Sequence, residues 1–218
     1  MTRTAVVFAG GDPVFAEVRA VAAAADLVIA ADSGLDRAYA AGVTVHVVVG
    51  DMDSVSDESL ERARLDGARI EEHPRVKDAT DLELALDAAC RAGAERVIVV
   101  GLAGGRIDHF LAGVALLASP RFAQIRVEAF TGDAWIAVVH GGGPAFSFAC
   151  ARGDIVTLIP AAGEARGVVT EGLRYALRGE HLAPGSTRGV SNVAAAEQAS
   201  VSLHEGSLLV VRAEEGAL

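Results

Sequence analysis

The sequence predicts an α/β fold, a parallel sheet with helices on both faces (Rossmann-like), followed by a smaller all-β sandwich domain. Three observations carry this expectation. Up to about residue 130, short apolar runs take turns with helical patterns, as strand–crossover–strand units require. After Trp135 the helical periodicity gives way to short strands separated by glycines and acids. Between the two regimes, Gly141-Gly142-Gly143-Pro144 punctuates the chain. The expected domains are 1–140, an α/β module for nucleotide and metal, and 141–218, a β-sandwich.

The first module reads in order. Thr4 to Ala9 is a strand, and Gly10-Gly11-Asp12-Pro13 is a turn opening a helix from about Val14 to Ala25. Leu27 to Ala31 is the second strand, and the helix from Ser33 to Ala41 stops at Gly42. Val45 to Val49 is a buried strand broken only by His46, and Asp57 to Leu65 is helical. Thr80-x-x-Glu83 has the form of a capping box ahead of a helix from Leu82 to Ala92, closed by Gly93. Val97 to Val100 is a strand, Ile107 to Ala118 a helix and Ile125 to Phe130 a strand. The second module is expected to hold strands at 145–149, 155–160, 167–170, 175–177, 201–203 and 208–212.

The 218 residues are 51% apolar with 24 glycines, enough for a sizeable core and many tight turns. A formal net charge of −10 argues against nucleic acid or an anionic membrane as partner, because both require a basic face. Cys90 and Cys150 read as buried thiols, with neither a disulfide framework nor zinc spacing. The longest apolar stretch, 21–31, is broken by Asp26 and is too short to span a bilayer. Met1-Thr2-Arg3 leads straight into a strand, so a cytoplasmic protein is expected.

Chemistry concentrates in loops that this alternation places on one sheet edge, where open parallel sheets bind ligands. Gly50-Asp51-Met52-Asp53-Ser54 follows the third strand. Two carboxylates so close repel each other unless a cation lies between them, which suggests a divalent metal. Asp51, Asp53 and Asp81 are the candidate ligands, in the oxygen-rich manner of magnesium. Lys77 and Arg106 add positive charge for phosphate oxygens, and Gly104-Gly105 lets backbone N–H groups approach a phosphate at a helix start. Taken singly, each piece has a plainer reading: Asp32 and Asp78 as caps or turn formers, Asp108 as a partner for the helix dipole. Convergence is what argues for a site. P-loop, dinucleotide and nucleophile-elbow motifs are all lacking.

The series Ala31-Asp32-Ser33-Gly34, Gly50-Asp51-Met52-Asp53-Ser54, Lys77-Asp78-Ala79-Thr80-Asp81 and Gly104-Gly105-Arg106-Ile107-Asp108-His109 resembles the thiamine pyrophosphokinase family in order and spacing. Gly172 to Leu177, Gly185-Ser186-Thr187 and Gly189 to Asn192 extend the resemblance into the second module. It implies transfer of diphosphate from ATP to the hydroxyl of thiamine, with magnesium, giving thiamine diphosphate and AMP. It further implies a homodimer whose active site joins the catalytic module of one subunit to the β-module of the other. By position, Asp51, Asp53 and Asp81 look like metal and phosphate residues supported by Asp32 and Asp78. Thr80, Arg106, Asp108 and His109 would line the nucleotide, and Tyr175, Ser191 and Asn192 would face thiamine. Three positions depart from the family pattern: Val45-His46 where Pro-Asp is frequent, and Tyr175 where Trp is frequent. A diphosphokinase for another alcohol, such as a hydroxymethylpterin, and a non-catalytic nucleotide or thiamine diphosphate sensor are the competing readings.

Overall fold

The computed structural model describes residues 2–11 and 18–213. The chain divides into two compact units, 1–113 with 127–132, and 114–126 with 133–218. In the first, β1 (Thr4–Phe8), β2 (Leu27–Ala31), β3 (Val47–Gly50), β4 (Arg69–Glu72), β5 (Arg96–Val100) and β6 (Arg126–Phe130) stand in the order β4-β3-β2-β1-β5-β6. The pairs β3–β4, β2–β3, β1–β2 and β1–β5 are parallel. The residues of β1, β2, β3 and β5 are nearly all buried, which is why they read as continuous Val, Ile and Ala runs rather than alternating ones.

The helices are α1 (Val18–Ala23), α2 (Gly34–Ala40), α3 (Asp57–Leu65), α4 (Asp81–Arg91) and α5 (Ile107–Leu117). The expected start of the first helix and part of the turn before it, 12–17, lie outside the described residues. Val18 and Ala22 of α1, Leu35 and Ala38 of α2 and Ala63 of α3 form one apolar cluster with Val6, Phe8, Val28, Ala30, Val48, Ile98 and Val100. The buried residues of α4, Ala85, Leu86, Ala88 and Ala89, lie outside that cluster, although α4 packs on β1, β2 and β3. Gly34 lets α2 begin directly against β1, because a Cβ there would stand 2.1 Å from the Phe8 carbonyl oxygen.

The strand β4 is absent from the sequence reading for a physical reason. Its residues Arg69, Ile70, Glu71 and Glu72 contain a single apolar side chain, as suits the end strand of a sheet. Arg69 and Arg91 both pair with Glu71, at 2.6 and 2.8 Å. His46, the polar break in the third apolar run, accepts a hydrogen bond from the Val28 N–H at Nδ1 (2.9 Å) and so ties β2 to the residues before β3.

The second unit is a β domain. Its strands are β7 (Ala134–His140), β8 (Phe146–Ala149), β9 (Ile155–Glu171), β10 (Arg178–Leu182), β11 (Asn192–Val193), β12 (Gln198–Ser202) and β13 (Glu205–Ala213). They run in the order β7-β13-β9-β12-β8, with β10 and β11 also on β9, and the pairings are antiparallel. The two segments expected at 155–160 and 167–170 are one long strand. Its first part pairs with β13 and β11, and its later part with β10 and β12. Ala162 (φ 52°) and Gly163 (φ 117°) mark the interruption between the two parts. The segment expected as a strand at 175–177 is a loop. Trp135 packs against Phe148 and Phe146 with ring centroids 5.4 and 6.2 Å apart. Neither cysteine is in a disulfide; Cys150 is buried and Cys90 partly so. Among the described residues no helix is long and apolar enough to cross a membrane.

Candidate active site

Parallel pairing of β1 to β5 brings the loops that follow β2, β3, β4 and β5 to the same, carboxyl-terminal edge of the sheet. Asp32 ends β2 in a left-handed conformation (φ 48°), which Asp tolerates better than most residues, and its N–H donates to the Val49 carbonyl (2.9 Å). Asp51 begins the turn after β3, and its Oδ1 accepts the Asp53 N–H at 3.2 Å. Ser54 Oγ donates to Asp53 Oδ1 (2.9 Å). Ligand oxygens of Asp32, Asp51 and Asp53 all lie within 4.8 Å of one another. Asp81 opens α4, whose N-cap Thr80 accepts the Glu83 N–H at 3.3 Å, as the capping pattern predicts. A Cβ on Gly50 would lie 3.1 Å from Asp32 Cβ and 3.2 Å from Asp81 Oδ1, so both acids crowd the same glycine.

Among the described residues, two cations face this group. Lys77 Nζ lies 2.8 Å from Asp81 Oδ1 and 3.3 Å from Asp51 Oδ2, and Arg75 pairs with Asp53. The Lys77–Asp81 contact is an ion pair without good hydrogen-bond alignment. Asp32 Oδ1 is buried and has no hydrogen-bond partner. Burial pushes the Asp32 carboxyl above its usual pKa, and the charges of Asp81 and Asp51 push the same way against the Ser33 N–H and Ser54 hydroxyl. The Asp53 N–H holds Asp51 below the usual range, with Lys77 adding to it against the effect of burial. Burial works against the charge on Lys77, but its ion pair with Asp81 and its hydrogen bond to Asp51 outweigh that and raise its pKa.

Among the described residues, four carboxylates against two cations leave negative charge in excess. With an orphaned buried oxygen and an all-oxygen donor set, that is what a hard divalent cation requires. The residues present therefore fit such a cation. Asp32, expected as a support, supplies the orphaned oxygen, while the Oδ1 of Asp81 is turned to Lys77.

The remaining candidates are distributed differently. Asp78 and Thr80 are exposed, the Thr80 hydroxyl serving as the helix cap. Gly104, Gly105, Arg106, Asp108 and His109 form an exposed stretch from the loop after β5 into α5. Arg106 donates there to Asp108 through Nε (3.1 Å) and Nη2 (2.5 Å), which holds the Asp108 carboxyl down at about 2. In the second unit Tyr175 is 63% exposed. Asn192 is buried; its Oδ1 accepts the Tyr175 N–H (3.0 Å) and the Val193 N–H (2.9 Å), and its Nδ2 donates to the Tyr175 carbonyl (2.8 Å). Ser191 is exposed with φ 56°, its N–H donating to Thr157 Oγ1 (3.0 Å). Arg75 was not among the sequence candidates, and nothing in the spacing of a lone arginine before Lys77 singles it out.

Residues 18–129 match the family description "Thiamin pyrophosphokinase, catalytic domain", and residues 148–208 match "Thiamin pyrophosphokinase, vitamin B1 binding domain". The chain belongs to the thiamin pyrophosphokinase family. It is therefore an enzyme of the ATP-dependent diphosphotransferase class. A thiamine pyrophosphokinase of Bacillus subtilis is 25% identical over 190 residues, 86% of this chain and 87% of that one. The crystal structure of the thiamine pyrophosphokinase from B. subtilis superposes with a TM-score of 0.83 at 24% identity, covering 98% of this chain and all of that one. A family member from Enterococcus faecalis gives 0.80 at 26% identity with the same coverage. The family fold, a mixed sheet with a second β domain, is thus the fold of this chain.

Proposed function

We propose that the chain transfers diphosphate from ATP to the hydroxyl of thiamine, yielding thiamine diphosphate and AMP, with magnesium as the required cation. The observation that carries this reading is the buried, unpartnered Asp32 Oδ1 grouped with Asp51 and Asp53 at the sheet edge of a family member. Asp51, Asp53 and Asp81 hold the metal, with Asp32 joining them and Asp78 in support. Bound there, magnesium would neutralise polyphosphate oxygens and the charge that grows on departing AMP. Lys77 and Arg106 bind phosphate oxygens, and Gly104, Gly105, Thr80, Asp108 and His109 line the nucleotide. Tyr175 and Ser191 face thiamine, a ring against a cationic heterocycle. Asn192 serves the same site by holding the backbone that carries that ring.

The finer organisation belongs to the same reading: a doubly wound catalytic module over 1–140 and a thiamine-binding sandwich over 141–218, in a cytoplasmic homodimer whose active sites join modules of different subunits. The separation of α4 from the cluster under α1 to α3 supports helices on both sheet faces. Asp53→Asn tests the proposal, because it keeps the side-chain volume and removes a charge. AMP release from ATP and thiamine should fall by about a thousandfold or more while circular dichroism stays unchanged. Turnover at the parental rate would remove Asp53 from the chemistry. Running the parental enzyme against a panel of alcohols, a hydroxymethylpterin included, decides the acceptor.

A further inference from the structure

The turn that carries Asp51 and Asp53 is strained and tied at both ends. Met52 stands at φ 62°, a left-handed conformation that a side chain of its kind rarely adopts. A residue held there persists only where its surroundings over-determine it. At the entry to the turn the Val49 carbonyl accepts the Asp32 N–H (2.9 Å) and the Gly50 carbonyl accepts the His73 N–H (2.8 Å). At the exit Asp36 grips Ser56 twice. Ser56 Oγ donates to Asp36 Oδ1 (2.5 Å), and the Ser56 N–H donates to Asp36 Oδ2 (3.2 Å). Between these ties run residues 51–55, which include two metal ligands of the proposed function. We propose that Asp36 is a positioning residue for the cation site: by fixing Ser56 it sets where the Asp51 and Asp53 carboxylates stand relative to Asp32.

The second observation is that α2 carries both ends of this arrangement. Asp32 precedes the helix and its carbonyl accepts the Leu35 N–H (3.0 Å), while Asp36 lies in the first helical turn. Leu35 and Ala38 are fully buried in the core cluster, and Met52 and Val55 pack against the same cluster. The orphaned Asp32 oxygen and the anchor of the Asp51–Asp53 turn are therefore set by one short, well-seated helix. That is how ligand oxygens from two separate loops come within 4.8 Å of one another. Burial pushes the Asp36 carboxyl up, but the hydrogen bonds from Ser56 and Ser59 outweigh it and hold its pKa below the usual value. Asp36 is thus an acceptor only, and the Ser56 hydroxyl must donate to it. The same hydroxyl oxygen accepts the Ser59 N–H (3.3 Å) as the cap of α3. A serine cap needs no carboxylate behind it, so the grip of Asp36 serves the turn rather than the helix. This role presupposes the cation of the proposed function and adds what holds its ligands in register.

Manganese(II), a hard cation that also takes carboxylate oxygens, is the probe. It is titrated into the metal-stripped full chain, with and without a non-hydrolysable ATP analogue, and the free ion is read by electron paramagnetic resonance. Asp36→Ala should weaken manganese(II) binding by about tenfold, as the loss of outer-shell partners of metal ligands does. Asp36→Asn should recover most of that affinity, because its Oδ1 can accept the Ser56 N–H while its Nδ2 donates to Ser56 Oγ. Equal losses in the two variants would assign the effect to the charge of Asp36 and overturn the positioning role. Tyr39→Phe is the control. It removes the hydrogen bond from the Tyr39 hydroxyl to Asp66 Oδ2 (3.3 Å), which joins α2 to the other end of α3, and should leave the affinity parental. An equal loss there would make the effect one of general packing and overturn the proposal too. Circular dichroism and Tm in EDTA report the fold of each variant. Should Asp36→Ala not fold, Ser56→Ala breaks the hydroxyl tie from the other side and should also weaken binding. Parental affinity in the folded variants overturns the role of Asp36 and leaves the metal reading standing. A parent that takes up no manganese(II) in either condition overturns both.

Discussion

Lys77 occupies the position between Asp51 and Asp81 that a metal would otherwise balance, so removing its charge should be felt most in metal-free protein. Its side chain is 14% exposed, and those of Asp51 and Asp81 are 14% and 27% exposed. At 2.8 and 3.3 Å, with an effective dielectric of about 20, the two attractions are about 6 and about 5 kcal/mol before desolvation. Desolvation of three charged groups cancels most of that, leaving a net value between exposed pairs, about 0–1 kcal/mol, and broken buried pairs, about 3–5 kcal/mol. For Lys77→Met, which keeps the length and loses the charge, we take about 2 kcal/mol. In a chain of this size that lowers Tm by about 4–8 °C. Scanning calorimetry in EDTA should show the drop, and excess magnesium should shrink it to less than half, because the metal then balances the acids. An unchanged Tm in EDTA would refute the electrostatic account of Lys77. An undiminished gap in magnesium would refute the idea that lysine and metal serve the same carboxylates.

Two other perturbations probe the second unit. Asn192→Ala leaves two N–H groups and a carbonyl without this partner in a partly buried position and should cost about 1–3 kcal/mol in urea unfolding, with thiamine binding weakened in parallel. The sole tryptophan, Trp135, lies in the core of that unit and reports it by fluorescence, so a midpoint within error of the parent would discount the clamp. His140 has a buried Nε2 without a partner, and burial lowers its pKa below the usual value. Below the ordinary histidine pKa of about 6.5 the unfolded chain therefore binds a proton that the folded chain refuses, and stability falls with pH down to the folded pKa. His140→Gln should flatten that slope by up to about 1.4 kcal/mol per pH unit, and identical pH profiles would rule His140 out as the cause.

The alternation of strands and helices was legible because the central strands are buried on both faces and their composition shows it. Elements whose stability comes from partners rather than composition were not. The end strand β4 carries three charges in four residues, so no apolar period announces it. The Tyr175 loop reads as a strand because Tyr, Ala and Leu follow one another, yet Gly172 (φ 74°) and the side chain of Asn192, seventeen residues on, decide its path. At the site, the acids were recognisable from their spacing on a common edge. The burial of Asp32 Oδ1 was not, because it depends on the close approach of Gly50 and Asp81.

The charged end strand β4 has a consequence for self-association. A copy seeking to extend the first unit's sheet there would have to lay its backbone beside Arg69, Glu71 and Glu72, stripping water from groups that already neutralise one another. That border works as a stopper against sheet-to-sheet polymerisation, and two subunits that pair productively would have to meet through other surfaces.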